Sequence, residues 1–380
     1  MFILVLLCVA GIEGAFPTPG LTWPEATPES QGFDPVLLDA AFEYAERGGG
    51  AGLSQTFCVG VYRNGYRVKE VSFVGNSSTA WIYWSVTKAV THTLLGIAER
   101  DGLLKTEDYA RDHGITEWLT TRAVNVTIDQ LQRHDSGRWY DFVTDFLRSQ
   151  EQESQTQFAI DLPQQHDPMT LYQYNQMGIQ NLERILAHVT GMPLPEYAAR
   201  ELWEILGYES DYYFQNWQVG NRSFITDYLT YMGQWTHCND LARFGALWLN
   251  KGTWGGNTTI FTEEYYNKAL TTNPDGRPGR RYHWGGPPNH RANGLGDQLV
   301  TFNPEESLVI ARLGDPLQIS FSGSEFIQMV LDSIVAKHHT ESVYDIDEDD
   351  GVMPEEELQL QAYLREHYIT DKQTGRLEMK

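Results

Sequence analysis

The stretch SVTKAVTHTLLGIAERDGLL, residues 85 to 104, decides the fold that we predict for this chain. Its apolar and small residues recur at the spacing of a buried α-helix, and that helix begins at Ser85. Lys88 follows three residues later, so its side chain lies on the same helix face as Ser85. The pair therefore has two interpretations: a serine nucleophile with a lysine proton acceptor, or two ordinary residues on one helical turn.

Antiparallel strands are predicted both before and after this helix. Upstream, TFCVGVY and YRVKEVSFV flank Asn64-Gly65, which is a strong β-hairpin signal. Downstream, the two apolar runs of QLVTFNPEESLVIARLG flank residues 303–306 and predict a second hairpin. One helix, residues 34–47, precedes the sheet, and another, SEFIQMVLDSIVAKHH, follows it. We expect both hairpins to share one antiparallel sheet, with the intervening helices set to one side.

The predicted organisation has four parts. Residues 1–15 form an apolar leader that ends in small residues, as is typical of a secretory signal peptide. Residues 16–84 and 200–340 form the α/β sheet region, and residues 85–199 form a mostly helical region. Residues 341–380 form an acidic C-terminal tail with one helix in EELQLQAYLREHY, and a solvated segment is favoured there over a docking surface.

The leader and the sequons together predict a secreted glycoprotein, and the charge argues against nucleic-acid binding. The 380 residues carry a formal net charge of −23, which repels phosphate backbones and argues against nucleic acid as a partner. The apolar core of the leader is too short for stable membrane insertion. Four N-glycosylation sequons begin at Asn76, Asn125, Asn221 and Asn257.

The cysteines allow one disulfide bond and do not indicate a metal site. Once the leader and its Cys8 are removed, Cys58 and Cys238 remain, either paired or as two separate buried thiols. The sequence contains no CxxC or HExxH motif, and its histidines are scattered. We predict neither a metal ion nor a cofactor.

A serine–lysine site needs a proton acceptor for the nucleophile, a proton donor for the leaving group and N–H donors for the oxyanion. Lys88 accepts a proton only when it is uncharged, and burial in an apolar run lowers a lysine pKa in that direction. Ser85, at a helix N-terminus, can offer its backbone N–H. Tyr174, at the start of a helical segment, is a candidate proton donor; the alternative is a core tyrosine bonded to a carbonyl.

Five motifs occur in an order that resembles the serine beta-lactamase-like family: SVTK, HDSG (134–137), YNQ (174–176), DLARFGALWLNKGTWGG and ANGLGDQ. That family includes class C beta-lactamases, penicillin-binding-protein-like peptidases and esterases, and 6-aminohexanoate-dimer hydrolases. The resemblance spans roughly residues 28 to 337. It implies a beta-lactamase/transpeptidase-like α/β (α+β) fold, in which an antiparallel sheet flanked by helices adjoins a mostly helical region.

The resemblance implies a role for each matching position. Ser85 matches the family nucleophile, Lys88 its general base, and Tyr174 the tyrosine of its Y-x-N or Y-x-S element. Gln176 stands where that element has Asn or Ser. The backbone N–H groups of Ser85 and Leu295 would form the oxyanion hole.

The third family element, often K-T-G or H-x-G on a strand, falls on Ala292, Asn293 and Gly294. The missing lysine weakens a beta-lactamase assignment, and A-x-G followed by Gln298 looks more like the esterase and amide-hydrolase branch. Together with Gln176, these three residues are the expected substrate-binding positions. His283, Trp284, His290 and Arg291 flank the strand, where they either line the cleft or, as is more common, lie in exposed loops.

The function implied by this resemblance is that of a secreted serine hydrolase acting on a small-molecule ester or amide through an acyl-serine intermediate. An acyltransferase or a D-amino-acid peptidase with the same site remains an alternative, as does a non-enzymatic binding protein of the same fold. The HDSG stretch is expected to be a structural turn with its bend at Gly137, because three adjacent side chains point in different directions.

Overall fold

A computed structural model describes residues 22–47, 56–216, 227–272, 281–317, 320–335, 355–370 and 377–379. The expected signal peptide, the sequon at Asn221 and residues 341–354 of the expected tail lie outside these ranges. Among the residues described, none of the helices combines the length and the apolar character needed to cross a lipid bilayer.

The main sheet is antiparallel and has five strands, in the order β2-β1-β10-β9-β8. The strands of the described residues are β1 (Thr56–Arg63), β2 (Tyr66–Ser72), β3 (Trp81–Ile82), β4 (Tyr213–Phe214), β5 (Gln234–Thr236), β6 (Thr253–Trp254), β7 (Thr258–Thr259), β8 (His290–Gly294), β9 (Gln298–Asn303), β10 (Leu308–Gly314), β11 (Tyr368–Thr370) and β12 (Leu377–Met379). Because β1 pairs with both β2 and β10, the prediction that the two hairpins share one sheet is confirmed. Asn64 and Gly65 have φ values of 54° and 79°, as a two-residue hairpin turn requires.

Helices cover both faces of this sheet. The α-helices of the described residues are α1 (Pro35–Arg47), α2 (Val86–Arg100), α3 (Ile128–Gln132), α4 (Gln155–Asp161), α5 (Gln176–Thr190), α6 (Leu194–Ala198), α7 (Glu204–Leu206), α8 (Cys238–Leu249), α9 (Glu263–Leu270), α10 (Gly323–Asp332) and α11 (Glu355–His367). Asp34 Oδ1 accepts hydrogen bonds from the N–H groups of Val36 and Leu37, which explains why α1 starts there.

The two faces of the sheet bury different helices because side chains alternate along each strand. Val59 and Val61 of β1 pack with α1 and α10, whereas Cys58 and Tyr62 face the larger cluster that contains α2, α5 and α8. Every residue of α2 from Val86 to Ala98 is buried. The helix that begins after Ser85 is therefore enclosed between the sheet and the helical region.

Part of the expected acidic tail packs against the protein and is not solvated. Helix α11 presents Leu360, Tyr363 and Leu364 at the i, i+3, i+4 spacing of one apolar face, and Leu360 and Leu364 are buried. Gln361 Nε2 donates a hydrogen bond to the carbonyl of Pro316 at 2.8 Å. The acidic residues before the helix dominate the composition of this segment, and they conceal the short apolar stripe.

Cys58 and Cys238 are paired, which resolves the alternative that the sequence left open. The bond joins β1 to the start of α8 across 180 residues, and both cysteines are fully buried. A cross-link that closes a loop this long restricts the unfolded chain strongly.

We expect the Cys58→Ser/Cys238→Ser double variant to unfold with a free energy lower by about 3–5 kcal/mol, because the unfolded chain regains its loop entropy. Urea unfolding of both proteins measures this difference. Wild type treated with dithiothreitol is the matched control and should lose a similar amount. Equal stability of the reduced and oxidised wild type would contradict a disulfide in the folded protein.

Candidate active site

Ser85 and Lys88 meet at the N-terminus of α2. Lys88 Nζ lies 3.0 Å from Ser85 Oγ, Lys88 is fully buried, and Ser85 is 3% exposed. Serine is a common helix N-cap residue, but the Ser85 side chain caps no backbone N–H here. Its hydroxyl faces the amine instead, which favours the catalytic interpretation of the SxxK spacing over the ordinary helical turn.

The Lys88 amine is held from two further directions. It donates a hydrogen bond to the carbonyl oxygen of Tyr231 at 3.0 Å. It also lies 4.7 Å from the centre of the Tyr174 ring and 5.7 Å from that of the Tyr231 ring. A carbonyl and two aromatic faces leave the long side chain little rotamer freedom, so the amine is fixed beside Ser85.

Tyr174 is positioned by the residues on both sides of it in the chain. The Gln173 N–H donates to the carbonyl of His134 at 2.8 Å, and the Asn175 N–H donates to His134 Nδ1 at 3.1 Å. Asn175 also caps α5, because its Oδ1 accepts from the Gly178 N–H at 2.6 Å. The Tyr174 ring lies 4.8 Å from the His134 ring, so this imidazole supports it directly.

A buried carboxyl, Asp145, contacts the start of α5, which comes just after Tyr174 in the chain, and it interacts electrostatically with Lys88. It accepts hydrogen bonds from the N–H groups of Gln176 at 2.7 Å and Met177 at 2.9 Å, and so binds the start of α5. Burial raises the pKa of Asp145 to about 7, against the lowering effect of those two N–H groups and of the Lys88 charge. The pKa of Asp145 therefore depends on whether Lys88 is charged.

Two imidazoles near Lys88 are kept neutral. Burial lowers the pKa of His92 to about 3, and it holds the pKa of His283 well below its usual value. In both cases the charge of Lys88 lowers the pKa further. His283 Nε2 lies 2.8 Å from the carbonyl oxygen of Asn293, which ties this side chain to β8. The surroundings of the lysine thus disfavour additional positive charge.

Gly294 brings strand β8 into contact with the start of α2. A Cβ atom at this position would lie 2.5 Å from the Tyr83 carbonyl oxygen and 2.9 Å from the Ser85 backbone nitrogen. Only a glycine allows that approach. Leu295, the expected second oxyanion donor, is the residue that follows this close contact.

Gln298 holds the turn that follows Gly294. Its Nε2 donates to the carbonyl of Leu295 at 2.9 Å and to that of Gly314 at 2.8 Å, and its Oε1 accepts from the Gly314 N–H at 2.6 Å. The peptide at Leu295 is thereby anchored to β10. A rigid backbone is what an oxyanion hole needs, because donors that are already oriented need not reorganise during the reaction.

Two of the residues expected to bind substrate carry buried oxygens that accept no hydrogen bond from the described residues. These are Gln176 Oε1 and Asn293 Oδ1. Ala292 is fully buried in β8, and its side chain has no polar group that could hydrogen-bond to a substrate. Buried acceptors usually have partners, and these two are suited to an N–H or O–H donor of a ligand.

Of the two alternatives for the residues around this strand, exposure is wrong, although His283 and Trp284 do lie in the irregular segment before β8. Trp284, His290 and Arg291 are buried, and His283 is partly buried. His290 and Arg291 belong to β8 itself, and the Gly285 N–H donates to the Arg291 carbonyl at 2.8 Å. This backbone bond folds the preceding segment back along the strand, which brings His283 towards Tyr174 with ring centres 6.3 Å apart.

The HDSG stretch forms a turn. His134 and Gly137 have φ values of 58° and 68°, and a Cβ at Gly137 would lie 2.3 Å from the His166 carbonyl oxygen. Within the described ranges, no cluster of three or more His, Cys, Asp and Glu side chains could hold a metal ion.

Sequence reasoning missed three residues of this site: His134, Asp145 and Tyr231. The first two contact the loop and helix start around Tyr174 from 30 to 40 positions upstream, and Tyr231 acts through its backbone carbonyl. Backbone groups leave no signature in the sequence. Asp145 could have been suspected as a carboxyl in the apolar run FVTDFL, where burial is expected.

The chain matches the family described as Beta-lactamase over residues 38–314. Among solved structures, it resembles a "Putative 6-aminohexanoate-dimer hydrolase from Bacillus anthracis", with 19% sequence identity, a TM-score of 0.64 and coverage of 84% of this chain and 89% of that chain. A family VIII carboxylesterase aligns with 15% identity and a TM-score of 0.62, covering 79% of this chain and 98% of that chain. A penicillin-binding protein from Bacillus halodurans aligns with 15% identity and a TM-score of 0.55, covering 78% and 98%. No curated protein sequence matches the chain.

Proposed function

This chain belongs to the beta-lactamase-fold family of serine hydrolases, and on that basis we propose that it is a secreted enzyme that cleaves a small ester or amide through an acyl-serine intermediate. The observation that carries the proposal is the 3.0 Å contact between Ser85 Oγ and the fully buried amine of Lys88. A hydroxyl and a desolvated amine at that distance are an activated nucleophile with its base.

In the proposed reaction, uncharged Lys88 takes the Ser85 proton while Ser85 Oγ bonds to the substrate carbonyl carbon. The resulting oxyanion is bound by the N–H groups of Ser85 and Leu295. Tyr174 gives its proton to the leaving oxygen or nitrogen, the scissile bond breaks, and Lys88 returns a proton to Tyr174. Water then attacks the acyl-serine by the reverse sequence of proton transfers and regenerates Ser85.

An ester or amide of the hydrolase branch fits this site better than a beta-lactam does. Ala292 occupies the position of the family lysine that helps to hold the carboxylate of beta-lactams, and it offers no charge there. The orphan oxygens of Gln176 and Asn293 are acceptors, which suit an N–H or O–H group of the substrate rather than an anion.

Secretion is supported by two observations. The Cys58–Cys238 pair is a disulfide, and such bonds persist in oxidising compartments. The sequon asparagines Asn76, Asn125 and Asn257 are all exposed, so each is sterically open to glycan attachment.

The decisive experiment is intact-mass analysis after treatment with a fluorophosphonate probe. Wild type should gain one phosphonyl group with loss of fluoride, and Ser85→Ala should gain none. Ser136→Ala, which removes a second buried serine in the HDSG turn, is the matched control and should be labelled like wild type. An unlabelled wild type, or equal labelling of Ser85→Ala, would refute the proposal.

We expect Tyr174→Phe to lower kcat/KM for alkyl esters by about a hundredfold, the usual scale for the loss of a general acid. The phenyl ring keeps the contacts with Lys88 and His134, so the variant removes only the hydroxyl. The effect should be much smaller for p-nitrophenyl esters, whose leaving group needs no proton. Equal losses on both substrates would show that Tyr174 acts otherwise than by protonating the leaving group.

A further inference from the structure

A cavity of about 1030 Å³ lies next to the nucleophile. Neither Ser85 nor Lys88 nor Tyr174 lines it, but two lining residues connect it to them. Trp84 directly precedes Ser85, and Tyr231 provides the carbonyl that accepts the Lys88 hydrogen bond. The cavity is therefore a neighbour of the catalytic group, with a size at the upper end of ligand-binding clefts.

One wall of the cavity comes from the C-terminal helix. Leu360, Tyr363 and Leu364 of α11 line it, and the two leucines pack in one apolar cluster with Trp84 and Leu295. The helix is fastened to the segment after β10, because Gln361 Nε2 and Arg365 Nε donate to the carbonyls of Pro316 and Leu317 at 2.8 and 2.6 Å. The wall is thus a fixed part of the fold beside the expected oxyanion residue.

Most of the lining residues are apolar or aromatic, and the others are Gln150, Glu151, Gln215 and Asn216. Phe146, Trp235, Leu360 and Leu364 are typical of the first group, and Glu151 is the one charged side chain among the described lining residues. Trp84 is 8% exposed, and its indole N–H is buried with no acceptor among the described residues. A suitable occupant is therefore largely apolar and uncharged, and it can offer an acceptor oxygen.

The position of Tyr174 decides which half of a substrate belongs in this cavity. Tyr174, which would protonate the leaving group, lies with His134 and His283, and none of the three lines the cavity. The cavity instead adjoins Trp84, the neighbour of the serine that retains the acyl group. The cavity thus adjoins the residue next to the serine that retains the acyl group, and the residue that would protonate the leaving group does not line it.

We propose that this cavity binds the acyl group of the substrate, and that the preferred acyl group is apolar, of medium chain length or aromatic. The assignment rests on the proposed acyl-serine chemistry of Ser85. It makes the C-terminal helix a determinant of substrate specificity, through Leu360 and Leu364.

The test compares p-nitrophenyl acetate, butyrate and octanoate. Wild-type kcat/KM should rise at least about tenfold from acetate to octanoate, in line with the gain per buried methylene. Leu364→Trp fills the cavity and should lower the octanoate-to-acetate ratio at least about tenfold. Leu358→Trp lies on the same helix with its side chain 48% exposed, and it should keep the wild-type profile. A flat wild-type profile, or an unchanged ratio in Leu364→Trp, would overturn the inference.

A binding measurement separates this inference from the proposed function. N-phenyl-1-naphthylamine, an uncharged apolar fluorophore, should bind saturably to Ser85→Ala, which cannot form an acyl-enzyme. Adding Leu364→Trp should weaken that binding at least about tenfold, whereas adding Leu358→Trp should not. Binding that fails in Ser85→Ala overturns the cavity assignment even where Ser85 is labelled by a fluorophosphonate. If the fluorophore binds but the fluorophosphonate does not label wild type, the cavity is an apolar binding site and the proposed hydrolase activity is refuted.

Discussion

We expect Lys88→Ala to lower kcat/KM by at least about a thousandfold, within the range for loss of a general base. The amine is fully buried 3.0 Å from Ser85 Oγ, and in the proposed mechanism it is the group that takes the serine proton. Without it the hydroxyl keeps its ordinary high pKa and is a poor nucleophile. Steady-state hydrolysis of p-nitrophenyl butyrate measures the effect, and it should appear mainly in kcat.

Two further measurements distinguish a base from a structural lysine. Lys88→Arg retains a positive charge but cannot lose its proton, so it should be as inactive as Lys88→Ala. Methylamine added to Lys88→Ala should restore part of the activity, since a small amine can occupy the vacated space and accept the proton. Substantial activity in Lys88→Arg, with no response to methylamine in Lys88→Ala, would assign Lys88 an electrostatic or packing role.

Much of the fold could be predicted because its signals are local. Asn64-Gly65 fixes the first hairpin through two positive φ values, and Asp34 caps the helix that starts at the next residue, Pro35. Ser85 was correctly placed at the start of α2, because the hydrophobic period changes there from that of a strand to that of a helix. These features depend on neighbouring residues, so a single sequence contains the information.

The remaining parts of the site depend on contacts between distant segments. His134 supports Tyr174 across 40 residues, and Tyr231 contributes a carbonyl oxygen that any residue type would possess. The position of His283 near Tyr174 depends on a backbone bond between Gly285 and Arg291, which the sequence does not reveal. Periodicity and motif spacing carry no information on such pairings, which are set by tertiary packing.

The tail shows a different kind of failure. Leu360, Tyr363 and Leu364 form a readable apolar stripe, yet the surrounding acidic residues led to the prediction of a solvated segment. A high net charge indicates that one face of a helix is exposed, but it does not exclude a narrow buried face on the same helix. These three residues form one wall of the cavity.

We expect Gly294→Ala to lower kcat by at least about a hundredfold, the usual cost of disabling an oxyanion hole. The added Cβ would lie 2.5 Å from the Tyr83 carbonyl oxygen, 2.9 Å from the Ser85 backbone nitrogen and 3.1 Å from the Trp84 Cβ. All three atoms belong to or adjoin the backbone and cannot turn away, so strand β8 must move outward. That movement separates the Leu295 N–H from the Ser85 N–H, and the two no longer converge on one oxygen.

The kinetic pattern tells this effect from general destabilisation. KM should change little while kcat falls, because the lost donors act on the transition state more than on the bound ester. Gly256→Ala is the matched control. Gly256 has a φ of 82°, and no heavy atom lies within 4 Å of the added Cβ, so the substitution strains the backbone without displacing a neighbour. It should lower the melting temperature without lowering kcat. If Gly294→Ala remains folded and turns over ester at the wild-type rate, the N–H groups of Ser85 and Leu295 are not the oxyanion donors.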